Sequence, residues 1–279
     1  MKASYFTLAL LLLAGFSTGC DNISEDDRYY TEEKVPVNRN LLIMEFTGNS
    51  CMNCPTGAEE VEKIKLDYGA DKVISVGLHP DGDKNSEPVP SIHTRPAGTL
   101  QDFRCAVATD LYKYYKPGGF PCAIFDGLES SMSSATGDWM TRAKEAFRLH
   151  SYVILNAECQ YDESTRDLNV TYDVTFSDDL NKRLSVAVWV VENGILGTQT
   201  MPNGSKDFNY VHNHVLRGSL NGTWGEHIGD SFTRDSQIVK TASMTLPENW
   251  VANNCDVVVF AVQDDDKYVQ QVISLPIGE

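Results

Sequence analysis

The sequence has few basic residues and, after its first twenty positions, no long apolar run. Among its 279 residues, 23 are lysine or arginine and 39 are aspartate or glutamate, so the formal net charge is -16. A nucleic-acid backbone is bound by concentrated Lys and Arg, so this balance argues against nucleic acid as a partner. A membrane-spanning helix needs about 20 consecutive apolar residues, and no later segment approaches that length. Internal repeats and low-complexity tracts are also absent.

The beginning of the chain has the pattern of an export signal. Lys2 is followed by the apolar run FTLALLLLAGF, and the run ends in STGC at Cys20. A small-residue stretch that stops at a cysteine is typical of bacterial lipoprotein signals. We therefore predict a signal peptide over residues 1–19 and lipid attachment at Cys20, which would be the only membrane attachment. An ordinary signal cut near Cys20 without a lipid is the alternative.

Residues 20–39 are polar and acidic, and they contain little that could be buried. This composition predicts a flexible tether. The stretch resembles the acidic export signals that send Bacteroides-type lipoproteins to the cell surface. About 260 residues remain after removal of the signal, which is enough for two ordinary domains or one large one.

Two parts of the chain differ in their periodicity. Residues 40–150 alternate strand-like pieces such as NLLIMEFTG with helical pieces such as PTGAEEVEKIKLDYG, which favours an α/β domain. The helical segments also include LQDFRCAVATDLYKYY. Residues 151–279 carry period-two segments separated by polar turns, which predicts an all-β, immunoglobulin-like sandwich. The expected fold is therefore α/β plus all-β, with a boundary near residue 150.

Cys51 and Cys54 form a CxxC pair between a predicted strand and a predicted helix. A thiol at a helix N-terminus is favoured as the thiolate, so Cys51 is the expected nucleophile and Cys54 the resolving thiol. Glu45 lies on the preceding strand among apolar neighbours, where burial would raise its pKa and let it exchange a proton with Cys54. A solvated glutamate at a strand edge is the alternative. Pro121 enters an apolar strand, which suggests a cis peptide bond or an edge position.

Strand, acid, CxxC, helix, strand, helix and then Gly-Phe-Pro resemble the thioredoxin superfamily over residues 40–150. The resemblance implies that Glu45 is the buried acid, Cys51 the nucleophile, Cys54 the resolving thiol and Pro121 the cis proline. Ser50 replaces the family's tryptophan, the inner dipeptide is Met-Asn, and the proline after Cys54 would disturb the first helical turn. These departures leave the direction of electron flow open.

Four further cysteines are isolated in the sequence. Cys105 and Cys122 could form a second bridge, and Cys159 could pair with Cys255 within the β part. Cys122 could instead be a third redox thiol. For the CxxC pair itself, the alternatives are a permanently oxidised staple and a zinc ligand pair, which would need two more ligands at comparable spacing.

Other candidate ligands are expected to be structural, so no metal and no bound cofactor are predicted. His212 and His214 alternate along a strand-like segment, and His227 could fold near them, but no acid or cysteine shares their spacing. The segment DGDKNSE, which begins at Asp81, starts like a calcium loop but lacks a glutamate at its twelfth position.

The stretch NYVHNHVLRGSLNGTWGEHIGD, residues 209–230, together with the lipidated start, resembles the twenty-eight-kilodalton outer-membrane protein family of Bacteroides-type lipoproteins. The resemblance implies an outer-membrane location, on the periplasmic or cell-surface face. The first hypothesis is a thiol-disulfide oxidoreductase whose partners are protein thiols or disulfides. The alternative is a non-enzymatic surface binding or adhesion lipoprotein that uses the β-sandwich and carries the cysteine pair as a structural disulfide.

Overall fold

The computed structural model describes residues 38–278. The predicted signal peptide, Cys20 and most of the predicted tether therefore lie outside the described residues. Arg39, which the sequence assigns to the tether, is buried and forms an ion pair with Asp126. The folded part of the chain therefore begins no later than Arg39.

The described residues form three α-helices and fifteen strands. The helices are α1 (Cys54–Tyr68), α2 (Ala106–Tyr115) and α3 (Trp139–Ala146). The strands are β1 (Leu41–Phe46), β2 (Val73–Leu78), β3 (Val89–Pro90), β4 (Leu100–Gln101), β5 (Cys122–Phe125), β6 (Val153–Asp162), β7 (Asp167–Phe176), β8 (Leu184–Glu192), β9 (Ile195–Thr200), β10 (Lys206–His212), β11 (Val215–Ser219), β12 (Glu226–Gly229), β13 (Gln237–Thr245), β14 (Cys255–Gln263) and β15 (Val269–Pro276). None of the helices within residues 38–278 is long and apolar enough to cross a membrane.

Both ends of helix α1 are explained by its local sequence, which has a proline in the first turn and a glycine after the last. Pro55 occupies its first turn, where a missing backbone N–H costs no helical hydrogen bond, so the expected disturbance does not occur. The helix stops at Gly69, whose φ of 105° lies in a region that favours glycine. Helix α2 is shorter than predicted because Cys105 is extended and caps it, and residues 100–101 belong to β4.

One large sheet takes strands from both parts of the chain. Its order is β15-β14-β8-β11-β2-β1-β5, and β12 pairs with β8 outside this path. The two parts meet where β11 runs parallel to β2 at Val215 and Gly77. The fold is thus mixed α/β with mostly β structure. The division into two domains near residue 150 stays a prediction, and the structure adds that both sides share a sheet.

The large sheet has different neighbours on its two faces. Helix α2 packs on one face, which runs from β1 and β2 through β8 to β14. On the opposite face, α1 and α3 cover β1, β2 and β5. Beside them, the three-stranded sheet β13-β7-β6 covers β8 and β14 on that face. Since β8 and β14 have packed layers on both faces, they are buried along nearly their whole length and do not alternate.

Candidate functional site

Cys51 and Cys54 form a disulfide at the N-terminus of α1. The Cα atoms are 5.4 Å apart, and both cysteines are only 3% exposed, whereas Met52 between them is 46% exposed. The pair connects the loop after β1 to the first residue of the helix. The two cysteines are therefore close together, as their spacing predicted. Both of them are buried, however, and only Met52 between them is exposed.

Glu45 lies on β1 and faces α1. It is nearly buried, and its Oε1 has no hydrogen-bond partner among residues 38–278. Burial raises the pKa of its carboxyl to about 8, and the charge of Lys65 opposes this rise. Glu45 is thus a buried acid that holds its proton near neutral pH, and the alternative of a solvated strand-edge glutamate is wrong.

Pro121 approaches the same part of α1 from β5. The Phe120–Pro121 peptide bond is cis, and β5 runs antiparallel to β1 with Ala123 opposite Glu45. A Cβ added at Gly57 would lie 2.5 Å from Glu45 Oε1 and 3.0 Å from Pro121 Cβ. The acid and the proline therefore meet at Gly57, one turn after Cys54.

Gly57 is a site residue that the sequence analysis missed. The indole of Trp139 also lies against it, 2.9 Å from the position of an added Cβ. A glycine inside a helix costs about 1 kcal/mol relative to alanine. A glycine within the predicted helix could therefore have indicated that another group packs closely against the helix at this position.

A hairpin of β9 and β10 covers the strand–helix corner. Gln199 Nε2 donates hydrogen bonds to the carbonyl oxygens of Cys51 (2.9 Å) and Gly48 (3.2 Å). Thr200 N donates to Asn49 O at 2.9 Å, and Asn49 Nδ2 donates to Thr198 O at 3.2 Å. The hairpin is about 150 residues away in sequence from the CxxC pair. The CxxC motif therefore could not predict this contact.

A polar cluster lies between α1 and the start of β11. Lys65 Nζ is 3.0 Å from Glu62 Oε1 and 2.6 Å from His214 Nε2. Burial lowers the pKa of Lys65, and the neighbouring Glu62 opposes this change. His214 is held at a φ of 55° because its carbonyl accepts from Gly77 N and its N–H donates to Asn193 Oδ1. The cluster links the second part of the chain to α1.

A cavity of about 580 Å³ lies between α1, β2 and the β9–β10 hairpin. We call it the α1 cavity. Its lining includes Glu45 and Cys54 next to the disulfide, and it also includes Ala58, Ser75, Gly77, His79, Met201, Tyr210, His212 and Val215. The buried acid and the resolving cysteine thus share one cavity, which the sequence did not predict.

The other four cysteines are free thiols, so the two further bridges that the sequence suggested are not formed. Cys159 Sγ and Cys255 Sγ donate to separate backbone carbonyls, those of Pro276 and Val251. Cys105 Sγ accepts from the backbone N–H of Ala108 at the start of α2. Each of these three sulfur atoms therefore forms a hydrogen bond with nearby backbone instead of a disulfide.

Cys122 belongs to the core on the α2 face of the sheet, together with Phe46 opposite it in β1. Its neighbour Pro121 contacts the α1 side, because side chains alternate along a strand. Burial raises the pKa of Cys122, which disfavours the thiolate. This position does not support Cys122 as a third redox thiol.

The three histidines of the signature stretch separate in the fold. His212 packs against Phe103, His214 contacts Lys65, and His227 Nδ1 lies 2.8 Å from Asp264 Oδ2. Within residues 38–278, no group of three or more His, Cys, Asp or Glu side chains is placed to hold a metal ion. The histidines therefore have separate packing and polar contacts.

Comparisons with known proteins give a family and a fold. The family model described as outer membrane protein Omp28 matches residues 108–279, beginning within α2. The structure of HBP35 of Porphyromonas gingivalis matches with a TM-score of 0.66 and 15% identity, over 87% of this chain and 76% of that chain.

A domain of the outer membrane lipoprotein Omp28 from Porphyromonas gingivalis also matches. Its identity is 22%, with a TM-score of 0.32, over 46% of this chain and 88% of that chain. No curated protein matches. The likeness to HBP35 shows a shared overall fold. The residues matched by the family model include the β9–β10 hairpin but not Cys51 and Cys54.

Proposed function

Since this chain belongs to the Omp28 family of outer membrane proteins, we propose that it is a lipid-anchored envelope protein whose Cys51–Cys54 pair exchanges disulfides with other proteins. The observation that carries the proposal is the convergence on Gly57 of α1. Glu45 Oε1 and Pro121 Cβ both contact this position, one turn after Cys54. A disulfide, a buried acid and a cis proline thus lie together.

The exchange follows from the positions of the two sulfurs. A client thiolate attacks Cys51 Sγ, a client–Cys51 bond forms, and the Cys51–Cys54 bond breaks with Cys54 leaving as a thiolate. Glu45, which lines the same cavity as Cys54 and is protonated near neutral pH, donates its proton to that sulfur. A second client thiolate then attacks the client sulfur of the mixed disulfide and displaces Cys51. The client has lost two electrons to the pair, and the reverse steps reduce a client.

Trapping of the mixed disulfide tests the proposal. In the reduced, detergent-solubilised Cys54→Ser chain, Cys51 should attack a disulfide of insulin and remain bound to it, because no resolving thiol is present. Mass spectrometry of the Cys51 peptide should show the adduct. The matched Cys51→Ser variant should give no adduct at Cys54. Equal trapping by both variants, or by neither, contradicts the assigned roles.

The proposal also specifies how the protein is attached to the outer membrane, through a lipid at Cys20. The family supports an outer-membrane location, and the small residues before Cys20 support a lipid at that cysteine. Labelling of growing cells with an alkyne fatty acid should tag the wild-type chain and not a Cys20→Ala variant. Protease treatment of intact cells then distinguishes the cell-surface face from the periplasmic face.

The finer fold assignment is also a proposal. Strand β1 lies between a parallel β2 and an antiparallel β5, with helices on both faces, and this supports a thioredoxin-like arrangement for residues 40–150. The sheet β13-β7-β6 packed on β8 and β14 supports a sandwich within residues 151–279.

One observation favours the second candidate function, a binding lipoprotein with a structural disulfide. Both cysteines are almost fully buried, and the hairpin residue Gln199 bonds to the carbonyl of Cys51. A covered disulfide resists attack, as a staple should. The two candidates differ in whether mild reductants open the pair.

A further inference from the structure

We propose that the α1 cavity binds a small apolar molecule that carries a primary amine, with Glu45 as the group that receives the ammonium. This site does not depend on the redox proposal, because recognition uses neither sulfur atom. The proposal is built from the shape of the cavity, from polar groups that have no partner among the described residues, and from the charges around the cavity.

The shape of the cavity comes from small residues on its floor. Ser75 and Gly77 lie on the face of β2 that points toward α1, and Ala58 lies on the helix above them. Their short side chains leave about 580 Å³, within the roughly 300–1,000 Å³ typical of small-molecule sites. Apolar side chains supply much of the remaining wall, including Met201, Val211 and Val215. An apolar molecule of one or two rings fits this space.

Four buried polar side chains that line the cavity have an atom without a hydrogen-bond partner in the described part of the protein. These atoms are Glu45 Oε1, Ser75 Oγ, His79 Nδ1 and His212 Nε2, and each residue is at most 8% exposed. Buried polar atoms are nearly always hydrogen-bonded. Glu45 pairs with Gly77 across the sheet, and Ser75 and His79 lie two residues to either side of Gly77, so three of these side chains are grouped on the floor of the cavity. His212 Nε2 lies on the hairpin side, 3.0 Å from the position of an added Cβ at Gly197. This grouping points to a ligand with hydrogen-bonding capacity.

These groups act together as acceptors. Burial lowers the pKa of His79 to about 3 and that of His212 to about 4, so both rings are neutral at pH 7. A neutral imidazole accepts at one ring nitrogen, and a serine hydroxyl and the carboxyl of Glu45 also accept. Glu45 is protonated in the free protein, and a bound ammonium would lower its pKa so that the carboxylate forms. A primary ammonium has three N–H donors and no acceptor, so its needs match this set.

The charges at the cavity favour a cation over an anion. Burial raises the pKa of Tyr210, and Glu45, Glu59 and Asp207 raise it further, which reports a negative field at that wall. Lys63, at the mouth, is 3.0 Å from Glu60. Lys65 Nζ is bonded to Glu62 and His214 instead of Glu45. An ammonium can therefore form an ion pair with Glu45 as its proton is released, whereas an anion would leave Glu45 protonated and gain no ion pair.

Three probes that share one fluorophore test the charge preference. Dansylcadaverine carries a primary ammonium, dansylamide is neutral, and dansylglycine is an anion. Fluorescence titration of the oxidised full chain in detergent should give a dansylcadaverine dissociation constant at least about tenfold lower than those of the other two. Equal affinities, or no binding of dansylcadaverine, overturn the proposal.

Variants test the location. Glu45→Gln should weaken dansylcadaverine at least about tenfold and change dansylamide by less than about twofold. Gly77→Val should abolish binding, because a Cβ at Gly77 meets only ordinary contacts at 3.5 Å or more and the added methyl groups enter the cavity. Gly137→Val is the matched control, since an added Cβ there has nothing within 4 Å.

Ala58→Leu fills the same cavity from the helix and serves if Gly77→Val fails to fold, as judged by circular dichroism. Unchanged dansylcadaverine affinity in a folded cavity-filling variant overturns the proposed location. Failure of amine binding leaves the mixed-disulfide experiment unaffected, so the two proposals can fail separately.

Discussion

Gln199 Nε2 donates a hydrogen bond to the carbonyl oxygen of Cys51 at 2.9 Å, and these residues belong to different parts of the chain. The Gln199 side chain is buried, and the same nitrogen also donates to Gly48 O. The β9–β10 hairpin that carries Gln199 therefore holds the strand–helix corner of the disulfide. We expect access to the Cys51–Cys54 bond to increase when this contact is weakened.

Removal of the Gln199 amide should make the disulfide easier to reach. Loss of a buried, hydrogen-bonded amide weakens the hairpin contact by about 1–1.5 kcal/mol, so Gln199→Ala should be reduced by dithiothreitol up to about tenfold faster. Thiol trapping at timed intervals measures the rate. Gln160→Ala, at an exposed position on β6, should behave like the wild type. Equal rates for all three proteins would show that the hairpin does not limit access.

Glu45 should make the stability of the oxidised protein depend on pH. The folded chain holds this proton up to about pH 8, whereas an ordinary glutamate releases it near pH 4.5. The contribution is fully present below pH 4.5 and is lost as the pH rises toward 8, by at most about 1.4 kcal/mol per pH unit. Glu45→Gln lacks this titration, so its free energy of unfolding should increase relative to wild type from pH 5 to pH 8. Urea unfolding at each pH tests this, and parallel curves contradict it.

Gly57→Ala should destabilise the protein although alanine is the better helix former. The new Cβ would lie 2.5 Å from Glu45 Oε1 and 2.9 Å from the Trp139 ring. Overpacking of this kind costs about 1–3 kcal/mol. Gly137→Ala, where an added Cβ meets nothing within 4 Å, is the control and should change little. A Gly57→Ala chain as stable as wild type in urea would show that the contacts at Gly57 are loose.

The buried ion pair of Arg39 and Asp126 should be required for stability. Arg39 Nη2 lies 2.5 Å from Asp126 Oδ2, and both residues are almost inaccessible. Arg39→Met leaves the carboxylate buried without its partner, which should cost about 3–5 kcal/mol at pH 8.

Because burial already raises the pKa of Asp126 to about 6, the loss should be smaller at pH 5, where the carboxyl takes up a proton. Addition of Asp126→Asn should recover part of the loss at pH 8. Lys113→Met, in an exposed pair, is the control and should change stability by less than about 0.5 kcal/mol. A similar small change in Arg39→Met would contradict the role of this pair.

Local sequence patterns were sufficient for the elements that depend on local physics. The helix after the CxxC pair was expected over residues 55–69 and is observed at Cys54–Tyr68. The spacing of Cys51 and Cys54 and the apolar surroundings of Glu45 also indicated their proximity and burial. These features follow from periodicity, capping and hydrophobicity over a few residues.

Long-range pairing could not be obtained in this way. The joining of β11 to β2 depends on a single register pair, Val215 and Gly77, and no local pattern specifies it. The sequences of β8 and β14 did contain one signal, because both are continuous apolar runs. Such a run indicates a strand that is buried on both faces, whereas the alternation in β7 indicates a strand with one exposed face. The hairpin contact of Gln199 left no such signal, because a polar side chain in a polar hairpin predicts only exposure.

The most direct test of the redox account is an equilibrium titration of the Cys51–Cys54 disulfide against glutathione. Detergent-solubilised full chain is equilibrated at defined potentials, alkylated, and analysed by mass spectrometry of the peptide that contains both cysteines, so that the other thiols do not interfere. The account predicts half-reduction between about -120 and -270 mV, the range of redox-active pairs. A pair that stays oxidised below about -300 mV would behave as a structural disulfide and would contradict the account.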